Sequence, residues 1–298
     1  MYTIAALTIT VLLAAYNTSA VPTSQSTSGP TPARNNGKRG LSYTNDTFTQ
    51  PYSLSGQNSQ VSWGYDWYYS RYKNDDNITN PAITFYPLLF NDAESLAQAW
   101  PAAALAAIDD GADALMSFNE PDLCHDGSAC MTVQQSVAAY RRSMQPFAGK
   151  VRLGAPAITQ NGLDYLGQFL GNCTECTIDF INIHWYSNRY AFAYLQSFVK
   201  QAHAAYPNYP IWLTEVGMDY SEGDTSDADT QTFMKKALPW LDAVPYVERY
   251  AWFYDGPGFL IDSNGEGLSA QGTLYTTYTA PCSNWDDTGG PGDFARNS

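Results

Sequence analysis

The chain has 298 residues, 44% hydrophobic and 14% aromatic, which is enough for one sizeable core. Its formal charge of -14 repels nucleic acid and anionic lipid surfaces, so neither is expected as a partner. Charged residues make up 15% of the chain, while Trp and Tyr number 8 and 22, a balance that suits a neutral ligand able to stack on rings.

The chain opens on an apolar run that ends in small residues around Ala20. The run is too short for a bilayer span and reads as a secretory leader over 1–20, although a basic start is missing. The stretch 21–38 is rich in Ser, Thr, Pro and Gly, and reads as a linker or propeptide. Lys38-Arg39 is a candidate dibasic processing site. Eight short apolar or β-branched runs follow: "RGLSYT" (39–44), "VSWGYDW" (61–67), "ITFYPLLF" (83–90), "ALMSFNE" (114–120), "VRLGAPA" (151–157), "IDFINIHWY" (178–186), "IWLTEVG" (211–217) and "RYAWFYD" (249–255). Between them, "DAESLAQAWPAAALAAIDDG", "TVQQSVAAYRRSMQPF", "YAFAYLQSFVKQAHAAY" and "DTQTFMKKALPWLDAV" carry helical spacing or helix-terminus signals. Strand followed by helix, repeated, predicts an α/β fold with a parallel sheet, and the span matches a single-domain (β/α)8 TIM barrel over 39–280. A doubly wound open sheet is the alternative, but no Gly-rich phosphate loop follows the first run. The tail 281–298 lacks pattern and is expected to take no part in chemistry.

The cysteines at 124, 130, 173, 176 and 282 fit an oxidising compartment. Spacing suggests the pairs Cys124–Cys130 and Cys173–Cys176 with Cys282 left over, and sequence alone does not fix connectivity. Three His, none at finger spacing, argue against a zinc site, so no metal or other cofactor is expected. Asn45, Asn77 and Asn172 lie in glycosylation sequons.

In a barrel the chemistry gathers where strands end. The fourth run ends in Asn119-Glu120-Pro121 and the seventh in Thr214-Glu215-Val216-Gly217, on opposite sides of an eight-stranded ring. Two inward carboxyls at one rim can flank a glycosidic bond, one donating a proton and one attacking the anomeric carbon. A separation of about 5–5.5 Å gives retention, and about 6.5–9.5 Å gives inversion. A lone Glu at a strand end is ordinarily just solvated, so the pair carries the argument.

The series "GLSYTN", "WGYDW", "YPLLF", "SFNEPD", "GAPAI", "DFINIHWY", "WLTEVG" and "YAWFYD" resembles glycoside hydrolase family 128, the fungal glycosyl-hydrolase catalytic-core proteins, across essentially all of 39–278. The resemblance implies a retaining β-1,3-glucanase with Glu120 as general acid/base and Glu215 as nucleophile. It implies Asn119 on the sugar 2-hydroxyl and Trp252 as the floor of the cleavage subsite. By two-residue alternation His184 and Tyr186 share one strand face, with Tyr186 placed to donate to Glu215; the bland reading of His184 is a satisfied core histidine. Trp63, Trp67, Tyr43 and Tyr65 are candidate sugar platforms and Asn91 a candidate contact from the third run. Trp100, Trp212 and Trp240 are assigned to the core. The insert "PDLCHDGSACMT" borders the cleft. The expected protein is a secreted, extracellular or cell-wall-associated monomer acting on β-1,3-glucan, by internal attack more than from chain ends. The rivals are a glucan-binding protein without turnover and a hydrolase of another neutral glycan such as β-1,4-mannan or chitin.

Overall fold

The computed structural model describes residues 37–52, 59–71, 79–219 and 226–280. The leader, nearly all of the linker, the sequon at Asn77, Cys282 and the tail 281–298 lie outside the described residues.

Nine parallel strands form one curled sheet with helices on its outer face: β1 (Arg39–Tyr43), β2 (Val61–Tyr65), β3 (Thr84–Phe85), β4 (Leu88–Leu89), β5 (Ala114–Asn119), β6 (Arg152–Ile158), β7 (Phe180–Ser187), β8 (Ile211–Met218) and β9 (Val247–Asp255). The sheet order is β3-β2-β1-β9-β8-β7-β6-β5-β4. Eight runs were expected and nine strands are present because the third run is split at Tyr86-Pro87. Pro lacks the N–H that a strand interior uses. The halves bond in opposite directions: Tyr86 N donates to Gly64 O beside β2, and Pro87 O accepts from Met116 N of β5.

The helices are α1 (Glu94–Asp109), α2 (Val133–Ser143), α3 (Leu163–Asn172), α4 (Phe192–Ala205), α5 (Asp227–Ala243) and α6 (Ala270–Thr277). α2 and α5 start on capping boxes, Thr132 with Gln135 and Ser226 with Asp229, each satisfying first-turn amides. α3 and α6 were not anticipated, since both are short. The disulfides are Cys124–Cys130 and Cys173–Cys176, the pairs that spacing suggested.

Two apolar layers hold the sheet. Outward residues such as Trp185 and Trp252 pack against the helices, both rings meeting Phe233 of α5. Inside, Trp63, Tyr86, Phe180 and Trp212 form an aromatic layer, and the Arg249 guanidinium lies over three of those rings at 4.9–6.0 Å. Trp100, Trp212 and Trp240 are buried, as assigned.

One irregularity decides what reaches the cleft. Ile183 pairs with Leu213 but His184 pairs with Glu215, so β8 holds one extra residue at Thr214. Against β9 the same extra residue appears between Leu213 and Val216. This β-bulge breaks the two-residue alternation and lets Thr214 and Glu215 both contact inner-face groups.

Candidate active site

Glu120 follows the last residue of β5, and Glu215 sits within β8. One oxygen of each carboxylate and one ring nitrogen of His184 lie within 4.8 Å of one another. Glu120 keeps 15% of its side-chain surface exposed and Glu215 6%, so both are sheltered yet open to one cavity of about 520 Å³.

His184, from β7, joins the two acids. Its Nδ1 lies 2.9 Å from Glu120 Oε1 and 3.4 Å from Glu215 Oε2, while Nε2 lies 2.9 Å from the Thr214 hydroxyl. An ionised carboxylate only accepts, so Nδ1 carries the proton, and in the neutral ring Nε2 accepts from Thr214. Burial opposes charge on this imidazole, yet the Glu215 and Glu120 carboxylates outweigh it and its pKa rises. Burial likewise raises the Glu120 carboxyl, but the His184 hydrogen bond and charge dominate and its pKa falls. A proton on this pair therefore rests mainly on the imidazole.

Donors converge on Glu215. Trp67 Nε1 donates to Oε1 at 2.7 Å, the Tyr65 hydroxyl reaches Oε1 at 3.3 Å, and the Tyr186 hydroxyl donates to Oε2 in a short hydrogen bond. Burial first, then the neighbouring Glu215, keeps both phenols well above their usual pKa, so they remain protonated donors. Glu120 Oε2 accepts from Ser128 Oγ at 3.3 Å. Asn119 lines the cavity and donates through Nδ2 to Gly127 O at 3.0 Å, while its Oδ1 is buried without a hydrogen bond.

The cavity thus gathers Glu120, Glu215, Asn119, Tyr186 and Trp67, with His184 beneath them. His184 is 1% exposed and acts on neighbouring side chains rather than on a ligand. Five candidates are placed elsewhere, the first being Tyr65, fully buried in the aromatic layer and reaching the site through its hydroxyl on Glu215 rather than as a platform. Trp252 is 1% exposed and faces the helices, because alternation sets it beside Tyr250 on the outer face; Phe253 and Tyr254 line the cavity instead. Trp63 lies in the middle of β2, in the aromatic layer below the rim, where Gly40 leaves space that a Cβ would close to 2.1 Å from its ring. Tyr43 is fully buried in the outer core, and its neighbour Thr44 reaches the cavity. Asn91 accepts the Ala93 amide at 3.0 Å at the entry to α1, and Phe90 lines the cavity. Sequence reasoning missed Thr214, which no strand-end motif singles out once the bulge is unknown; Leu123 and His125 to Ser128, from the insert expected to border the cleft, form part of the wall.

Among the described residues, Glu120, His184 and Glu215 are the one group whose ligand atoms converge enough for a divalent cation. Those atoms are already engaged with one another and with Ser128, Thr214, Trp67 and Tyr186.

Paired carboxylates in a sheltered cavity at the strand ends of a parallel α/β sheet define a glycoside hydrolase site. A model of the family described as "Glycosyl hydrolase catalytic core" matches residues 40–275. A curdlan-specific exo-β-1,3-glucanase of family 128 subgroup III from Blastomyces gilchristii, solved with glucose, is 31% identical, with TM-score 0.70 over 82% of this chain and 99% of that one. A subgroup I endo-β-1,3-glucanase from Amycolatopsis mediterranei, solved with laminarihexaose, is 26% identical, with TM-score 0.64 over 80% of this chain and 98% of that one. Alkali-sensitive linkage protein 1 of Schizosaccharomyces pombe is 32% identical over 255 residues, which is 80% of this chain and 44% of that protein. The chain therefore spans less than half the length of that curated relative. It belongs to glycoside hydrolase family 128, the glycosyl hydrolase catalytic core proteins.

Proposed function

We propose that this chain hydrolyses β-1,3-glucan with retention, through Glu215 as nucleophile and Glu120 as general acid/base. The observation that carries the reading is the approach of the two carboxylates to within 4.8 Å across one cavity. That distance falls on the short side of the two carboxyl geometries, about 5–5.5 Å for retention against about 6.5–9.5 Å for inversion. In the first step a Glu215 oxygen bonds to the anomeric carbon as the C1–O bond breaks, and Glu120 gives its proton to the departing oxygen. In the second, water bonds to that carbon as the ester breaks, and Glu120 takes the water's proton.

The free site holds the shared proton on His184 rather than on Glu120. The 2.9 Å contact lets the imidazole return it to Glu120 as the glycosidic oxygen arrives and water leaves the cavity. Asn119 lines the cavity beside Glu120, where its side chain supplies polar surface for a sugar hydroxyl. Trp67, Phe253 and Tyr254 supply ring surface for the apolar face of a neutral glucan. The substrate reading draws on the glucanase relatives, one solved with glucose and one with laminarihexaose.

Internal cleavage is favoured over end-wise attack because exposed residues from separate loops line the cavity, Thr44 after β1 and Asp126 after β5. The split third run bonds to both neighbours of a ring, which supports closure of 39–280 into one eight-stranded barrel domain. The leader-like start and the two disulfides support secretion to the exterior or the cell wall, and no helix among the described residues is long and apolar enough to cross a membrane.

The test is proton NMR of products released from a linear β-1,3-glucan oligomer. Formation of the β-anomer first, and loss of turnover by several orders of magnitude in a folded Glu215→Gln protein, are expected. An α-anomer first product sinks the retaining mechanism. A ladder of product lengths is expected, and a single end product refutes internal attack.

A further inference from the structure

We propose that the ring closed by Cys124–Cys130 is a positioning element that aims the Glu120 carboxyl at the leaving oxygen. The proposal rests on the acid/base reading of Glu120. The two carboxyl oxygens have different holders. Oε1 is fixed by His184, a side chain of the rigid sheet, whereas Oε2 is fixed by Ser128, which sits inside the ring. The ring also clasps the strand end itself. Ala129 N donates to Asn119 O at 2.7 Å, and Asn119 Nδ2 donates to Gly127 O at 3.0 Å. Met131 N donates to Pro121 O at 3.0 Å just beyond the second cysteine.

This clasp is needed because the backbone it holds is unfavourable in isolation. Glu120 has φ 47° and Cys130 φ 46°, left-handed values that residues with a Cβ adopt only when surroundings impose them. The intervening residues 123–127 are exposed and bury little apolar surface that would order them. A cross-link six residues apart restricts what they sample and keeps Ser128 against Glu120. Loosening the ring leaves Oε1 tethered and frees Oε2, so the carboxyl rotates away from the line on which it must deliver a proton. Glu215, held by Trp67, Tyr65 and Tyr186, is untouched.

A fault confined to proton delivery is separable from a damaged fold. Hydrolysis of a laminarioligosaccharide needs its leaving oxygen protonated, whereas 2,4-dinitrophenyl β-laminaribioside expels an anion that does not. The full chain carrying Cys124→Ala with Cys130→Ala is compared with Ser128→Ala, Glu120→Ala and the unaltered chain on both substrates. For the double variant, oligosaccharide turnover falls about tenfold, part of the 10²–10⁴ that acid–base assistance supplies, while the dinitrophenolate burst rate stays within about twofold. Ser128→Ala, with the disulfide intact, shows the same split at about threefold, one hydrogen bond's share, and carries the test alone if the double variant does not fold. Equal losses on both substrates, or an unchanged oligosaccharide rate, overturn the proposal. Glu120→Ala shows the same split in its largest form; without it, the acid/base reading itself falls.

Discussion

Replacing His184 by Gln removes a side chain whose Nδ1 lies within 3.4 Å of both carboxylates, and its effect can be worked from the site. The amide retains a donor but carries no charge. A hydrogen bond to an ionised group contributes about 1.5–3 kcal/mol against about 0.5–1.5 for a neutral pair, so the bond itself changes by roughly 1 kcal/mol. The larger effect is on the proton. In the native pair the last proton leaves from an imidazole held above its ordinary 6.5 by Glu215 and Glu120 against the pull of burial. Without His184 it must leave from Glu120, whose ordinary value is 4.5, with burial raising it and the Ser128 hydrogen bond and His125 still lowering it. The alkaline limb of kcat/KM therefore moves to lower pH, by up to roughly two units, the gap between ordinary imidazole and carboxyl values. Activity near neutrality falls by up to about a hundredfold, while near the new limb the deficit shrinks to about tenfold or less. The assay is the pH profile of kcat/KM on a soluble laminarioligosaccharide for both proteins. A uniform fall at every pH with the alkaline limb unmoved refutes the reasoning and returns His184 to a packing role.

Tyr186→Phe removes the hydroxyl on Glu215 Oε2, and kcat is expected to fall about ten- to a hundredfold with KM little changed, as steady-state kinetics will read. Trp252→Ala empties a site in the outer core and should destabilise by about 3–5 kcal/mol in denaturant unfolding, while the KM of the folded enzyme stays within about twofold; a large KM rise restores it as a sugar platform. Asp255 is fully buried, and burial raises its pKa well above the ordinary 3.8, only partly offset by the Tyr52 hydroxyl. Below the unfolded value both states hold the proton and the residue is neutral in effect. Above it, the native state resists an ionisation that the unfolded chain undergoes freely, so stability is lost as pH rises. Asp255→Asn should therefore raise Tm near neutrality and leave it unchanged in acid; an unaltered neutral Tm counts against this.

How far the sequence could be read depended on whether local pattern or register governed a residue. Strand positions were legible because buried parallel strands are continuous apolar runs, and the only change in count came from Pro87. Glu120 and Glu215 stood out as acids closing such runs, and alternation placed His184 and Tyr186 on the cleft side of β7. Trp252, placed at the cleft by the family resemblance, instead shares the outer face with Tyr250, and Phe253 is the inward neighbour. Trp63 and Trp67 read alike in "WGYDW", yet four residues of height separate a packing layer from the rim. Thr214 was hidden because a bulge is a property of two strands compared, and no single strand displays it.

That extra residue in β8 has a practical corollary for anyone recombining proteins of this fold. The direction of Glu215 is a matter of counting: delete one position upstream and the carboxylate swings toward the helices, with every side chain unchanged in identity. Segments exchanged among relatives should accordingly carry β7, β8 and β9 as one block, since the offset exists only in relation to both flanking strands.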